Sequence, residues 1–136
     1  MGQRADRTFG AKPVRRYERQ PFHALCELLR NFDVGLIPYL DHKYWDQMSI
    51  TKMATYMSAG LPILILRLTE TSNILARWNC GLSADDWGSF RTSIRDLYND
   101  PALRKRLGEN ACHAAVEEYN WNKQADRLGQ FIGNLR

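Results

Sequence analysis

The chain has 136 residues, of which 44% are hydrophobic, and its 19 Lys and Arg against 15 Asp and Glu give a formal charge of +4. This is the size and composition of one globular domain with a real core; no apolar run is long enough to span a bilayer, and the N-terminus lacks the apolar core of a secretory signal. The modest positive charge suits anionic nucleotides, acidic membrane surfaces and nucleic acid equally, and no nucleic-acid-binding module accompanies it.

Residues 1–12 are polar and basic without periodicity, which predicts a disordered lead ahead of a single domain over residues 13–136. Residues 14–17 read as a short strand, weakened by Arg15 and Arg16. Gln20 and Pro21 open a helix, with Pro at the first helical position, where its missing N–H costs nothing. Phe22, Leu25, Cys26, Leu28 and Leu29 recur at helical spacing and predict its core face. Residues 34–37 are the next strand, ended by Pro38, and residues 39–47 (YLDHKYWDQ) form an aromatic and charged loop. Loops at the carboxyl ends of parallel strands carry the ligands in open α/β sheets, so this loop is expected to overlook any site.

Residues 49–66 (SITKMATYMSAGLPILIL) are the most informative stretch. Ser49 can cap a helix whose first-turn amides would otherwise lack partners. Gly60 stands where the helix must leave through a left-handed conformation, and Pro62 prevents its continuation. Residues 63–66 are then wholly apolar, as expected of a strand buried on both faces. A Lys in the first helical turn is well placed to meet a phosphate, because the helix amides and their partial positive charge already favour an anion. Lys52 is that residue, with Tyr56 one turn later on the same face.

Thr69, Glu70, Thr71 and Ser72 make a polar turn with several potential caps, followed by a short helix through Ile74, Leu75 and Trp78 that Gly81 closes. Residues 81–83 are at best a short edge strand. Asp85 or Asp86 caps a helix with Trp87, Phe90, Ile94, Leu97 and Tyr98, and Asp100 with Pro101 starts the next by the same logic. That helix carries Leu103, Leu107, Ala111 and Ala114 or Ala115 on one side. Its consecutive Arg104, Lys105 and Arg106 fan around the axis and form a solvated face instead of a stripe. Asn120 and Trp121 break it, and a last amphipathic helix bears Ala125, Leu128, Phe131, Ile132 and Leu135. Strands alternating with helices predict an α/β fold: a three-layer, Rossmann-like parallel sheet with helices on both faces.

Four segments in order carry a family resemblance. They are NFDVGLIPY at residues 31–39, K-x-x-x-Y-M-S-A-G-L-P at residues 52–62, DPALRKRLGENA at residues 100–111, and Tyr119-Asn120-Trp121. Together they resemble the donor-binding, C-terminal half of GT-B-fold glycosyltransferases, including galactofuranosyltransferase-like members, over roughly residues 21–128. The resemblance implies a nucleotide-sugar donor, with a UDP-sugar favoured, and transfer to a glycan or polysaccharide acceptor. Lys52 would neutralise the donor diphosphate, and Tyr56 would meet a phosphate oxygen or pack beneath the nucleotide; the equal alternative for Tyr56 is a half-buried core tyrosine. Ser49 and Thr51 offer hydroxyls and amides to phosphate, although as caps they need no ligand. Thr55 is a departure: many relatives have Glu there, whose carboxylate accepts from both ribose hydroxyls, and one threonine hydroxyl cannot clamp a diol.

These relatives hold the diphosphate with side chains and helix termini, so neither metal nor cofactor is expected. Cys26, Cys80 and Cys112 are odd in number, widely spaced and in apolar contexts; they read as buried free thiols, and the expected location is cytoplasmic. His42 beside Asp41 has no paired nucleophile, and His23 and His113 fall on helix patterns. A whole transferase of this fold has two halves, and this chain has no counterpart of the acceptor half. It is therefore expected to be inactive alone, with no catalytic residue of its own. Expected partners are an acceptor domain, a second copy or other subunit, and a membrane periphery. The competing reading is a non-catalytic α/β module that keeps the fold for interaction or regulation.

Overall fold

The computed structural model describes residues 4–9, 12–39 and 51–135. An antiparallel hairpin comes first, β1 (Arg4–Phe9) against β2 (Lys12–Arg16), with an irregular register between Ala5 and Thr8. Residues 4–9 and Lys12, within the expected lead, lie in these two strands, whose backbone pairing needs no buried face. Helix α1 (Phe22–Leu29) follows with Pro21 at its N-cap, one position before the expected one.

The rest is an α/β unit around a three-stranded parallel sheet in the order β3 (Gly35–Ile37), β4 (Ile63–Leu66), β5 (Gly81–Ala84). The register aligns Gly35, Ile63 and Gly81, then Leu36, Leu64 and Leu82. Between and after the strands run α2 (Thr51–Ser58), α3 (Thr69–Trp78), α4 (Trp87–Asn99), α5 (Pro101–Glu117) and α6 (Trp121–Asn134).

Central β4 is buried at every position. Because successive strand side chains point to opposite faces, it feeds two cores. Ile63 and Ile65 pack with Met53 and Met57 of α2, Ile74 and Leu75 of α3, and Ala111, Ala114 and Ala115 of α5. Leu64 and Leu66 pack with Phe90 and Leu97 of α4 and Leu107 of α5. Each such aliphatic side chain contributes about 1.5–3 kcal/mol by leaving water. Helix α5 therefore serves both faces of the sheet. It reaches across them through a close approach of Gly108 to Gly60, which has φ of +71° as the sequence requires.

The caps explain where the helices begin. Asp86 accepts from the Ser89 amide at 2.7 Å in a capping box, Asp100 accepts from the Leu103 amide at 2.8 Å ahead of Pro101, and Asn120 accepts from the Lys123 amide at 3.0 Å. Helix α3 departs from expectation at both ends. It starts at Thr69 with Leu68 as N-cap and no side-chain cap, so the polar residues lie within its first turn. It ends at left-handed Asn79 (φ 47°), a conformation Asn tolerates through its short polar side chain, while Gly81 begins β5. Arg104 is not simply solvated: its guanidinium donates to the carbonyl oxygens of Leu97 and Tyr98, closing the end of α4.

Burial is narrower than the apolar pattern implies. Neither α1 nor α6 buries a residue; Leu128 of α6 is 59% exposed and Leu135, at its C-cap, 71%. Trp87, Ile94 and Tyr98 of α4 are also exposed. Of the three free thiols only Cys80 is buried, and burial pushes it up to about 11; Cys26 is half-buried and Cys112 exposed. Among the described residues, no helix is long and apolar enough to cross a membrane.

Candidate functional site

Lys52 and Tyr56 occupy one face of α2, and β3 supplies their surroundings from below. Met53 and Met57, about a quarter turn round the same helix, are fully buried against the sheet and fix its rotation. Lys52 is thereby left exposed, and Tyr56 is half-buried. Tyr56 lies directly over Gly35: a Cβ at Gly35 would sit 2.4 Å from the Tyr56 ring. Only glycine at that strand position gives the ring its seat.

At the carboxyl end of β3 the chain passes Pro38 and delivers Tyr39. The Lys52 ammonium donates to the Tyr39 hydroxyl at 2.8 Å and lies 4.9 Å from the ring centroid. Tyr39 and Tyr56 both pack against the core that β4 shares with α2. Burial raises the Tyr56 phenol above the usual tyrosine range, against a downward pull from Lys52 and with a smaller upward push from Tyr39. The phenol stays protonated at neutral pH, so it can both donate and accept. Among the described residues Lys52 has no acidic partner. Among the described residues, one ammonium and two phenol rings at the end of a parallel strand make a small cationic, hydrogen-bonding surface. That surface is suited to an anion, and among the described residues it contains no nucleophile paired with a base.

The other expected contacts divide. Thr51 is exposed in the first turn of α2. Thr55 is half-buried, and its hydroxyl donates to the Thr51 carbonyl at 3.1 Å, so its proton is used within the helix. Ser49, and the Asp41 and His42 pair, lie outside the described residues. Sequence reasoning missed Tyr39 and Gly35 as individual contributors, although both stood in the quoted strand motif; the signal was the small residue facing the helix and the aromatic just past the proline.

Beside this site, at the carboxyl end of β4, Arg67 adopts a left-handed φ of 34° and leads into the uncapped start of α3. Glu70 stands in that first turn, where its charge suits the helix end, and Ser72 and Ser83 share a hydrogen bond of 2.7 Å. Thr71 is fully buried, with no hydrogen-bond partner for its hydroxyl among the described residues.

A second polar cluster was not foreseen. Glu118, after α5, accepts from Arg77 at 2.7 and 2.9 Å, from the Trp78 indole N–H at 2.9 Å, and from Arg127 of α6 at 3.4 Å. Burial pushes its carboxyl up, but the Trp78 and arginine contacts together outweigh this and hold it below the usual glutamate range. The cluster ties the carboxyl ends of α3 and α5 to the middle of α6. Among the described residues no group of His, Cys, Asp and Glu is placed to hold a metal ion.

No protein-family model matches the chain, and neither a curated protein nor a solved structure matches it.

Proposed function

We propose that this chain is the donor-binding part of a glycosyltransferase, one that binds a nucleotide sugar, preferably a UDP-sugar, for transfer to a glycan or polysaccharide acceptor. The observation that carries the reading is the Lys52 ammonium, without an acidic partner among the described residues, held by Tyr39 at the carboxyl end of β3 with Tyr56 beside it. Carboxyl ends of parallel strands are where open α/β sheets receive their ligands. A diphosphate there gains a charge-assisted contact from Lys52 as the leaving group acquires charge. The sequence resemblance to GT-B donor halves supports the same assignment. In this reading the acceptor, and the groups that orient it, belong to another domain or subunit, and this chain alone does not turn over.

Thr55 favours a second reading, a non-catalytic α/β module. Its hydroxyl proton is engaged by its own helix, and a threonine supplies no carboxylate to hold a ribose diol.

Titration of UDP, GDP and ADP followed by amide NMR separates the two. Donor binding gives saturable shifts at α2 and at the end of β3, and Lys52→Ala weakens them by about tenfold to a hundredfold. Absence of shifts with every diphosphate, in protein that remains folded, leaves the interaction module as the better account.

A further inference from the structure

We infer that Tyr39 is a positioning residue for Lys52, which it holds as a cation at the carboxyl end of β3 where a ligand phosphate would arrive. This inference rests on the diphosphate reading above. A lysine side chain is a flexible stem, and an unrestrained ammonium must be ordered when the ligand binds. The geometry removes much of that requirement. Tyr39 follows buried Ile37 and conformationally restricted Pro38, and its ring packs against the core, so its hydroxyl is presented from a stiff base. The hydroxyl takes a single N–H of the ammonium, which has three, and leaves the others to a ligand.

The chemistry of the partner matters as much as its position. A carboxylate at 2.8 Å would hold Lys52 equally well but would neutralise it and compete with phosphate. A phenol holds it and leaves the full charge in place. Tyr56, seated over Gly35 and kept protonated, adds a neutral hydroxyl-bearing ring on the helix face of Lys52. Among the described residues the site is thus arranged to orient a cation without compensating it.

The test is a double-mutant cycle on UDP affinity with Tyr39→Phe, which keeps the ring and removes only the hydroxyl. In the native background Tyr39→Phe weakens UDP by about threefold to tenfold; in the Lys52→Ala background it changes nothing. A second readout needs no ligand: in protein carrying 13C-lysine, the two Lys52 ε-protons are distinct in the native chain and merge in Tyr39→Phe. Unchanged UDP affinity in Tyr39→Phe, an equal loss in both backgrounds, or unchanged ε-proton signals overturns the positioning role while leaving the diphosphate site standing. If Lys52→Ala itself leaves UDP affinity unchanged, the diphosphate reading falls and the positioning role falls with it.

Discussion

Gly108 of α5 lies against the backbone of Gly60, so close that a Cβ at Gly108 would sit 2.3 Å from the Gly60 carbonyl oxygen. The contact joins the turn after α2 to the middle of α5 and brings the long helix across the sheet. Backbone occupies both sides of this contact, so neither can swing aside as a side-chain tip would. Gly108→Ala should destabilise the fold by about 1–3 kcal/mol, as other overpacking changes do. Urea unfolding of the variant measures it, and a midpoint equal to that of the native chain would mean that α5 shifts freely.

The two kinds of apolar residue should respond differently to truncation. Leu107 is 1% exposed, and Leu107→Ala should cost about 2–5 kcal/mol. Leu128 is 59% exposed on α6, and Leu128→Ser should change stability by no more than about 0.5 kcal/mol. Thermal and urea unfolding of the pair, at low protein concentration, compares them directly. A large loss at Leu128 would show that α6 packs in solution.

Glu118 gives stability an acid dependence of known sign. Its carboxyl titrates below the ordinary glutamate range in the folded chain, so the unfolded chain takes up the proton first as pH falls. The contribution is complete above the ordinary glutamate value and is lost as pH drops through the lower, folded value. Glu118→Gln keeps an acceptor for the Trp78 indole and removes the charge facing Arg77 and Arg127. The variant should be less stable than the native chain near neutrality, with the difference shrinking on acidification. Unfolding curves across that pH range test this, and a constant difference would remove Glu118 as its source.

Thr55→Glu should restore a ribose contact under the proposed donor assignment. A carboxylate one position before Tyr56 can accept from both ribose hydroxyls, and the ratio of affinities for UDP and its 2′-deoxy analogue should rise by about tenfold or more. Calorimetry with both ligands on both proteins measures the ratio. An unchanged ratio would place the ribose away from Thr55.

Much of this arrangement was legible in residues whose local chemistry decides their structure. Gly60 and Pro62 marked the turn, the apolar residues 63–66 marked the doubly buried strand, Asp85 or Asp86 and Asp100 marked helix starts, and Asn120 with Trp121 marked a break. Expectations failed where tertiary context decides. Arg104 looked solvated because its acceptors, the last carbonyls of α4, are defined only once two helices meet. Leu128 and Phe131 carry the periodicity of a packed helix, which shows that a face is apolar but not whether anything covers it. Cys112 has apolar neighbours in sequence and yet points outward. At the site, the spacing of Lys52 and Tyr56 was readable from helix geometry. The hydrogen bond from Lys52 to Tyr39 spans two elements, and no local pattern encodes it.

The sharing of α5 between both faces of the sheet has a consequence for how the molecule opens. Leu107 belongs to one core, and Ala111, Ala114 and Ala115, one turn onward, belong to the other. Separating α5 from either face drags on the other, so the two cores behave as one cooperative unit and open together. Amide hydrogens of β4 and of the middle of α5 should therefore exchange at a common, slow rate set by global unfolding. Those of α1 and α6, which bury no residue, should exchange through local fraying long before the centre opens.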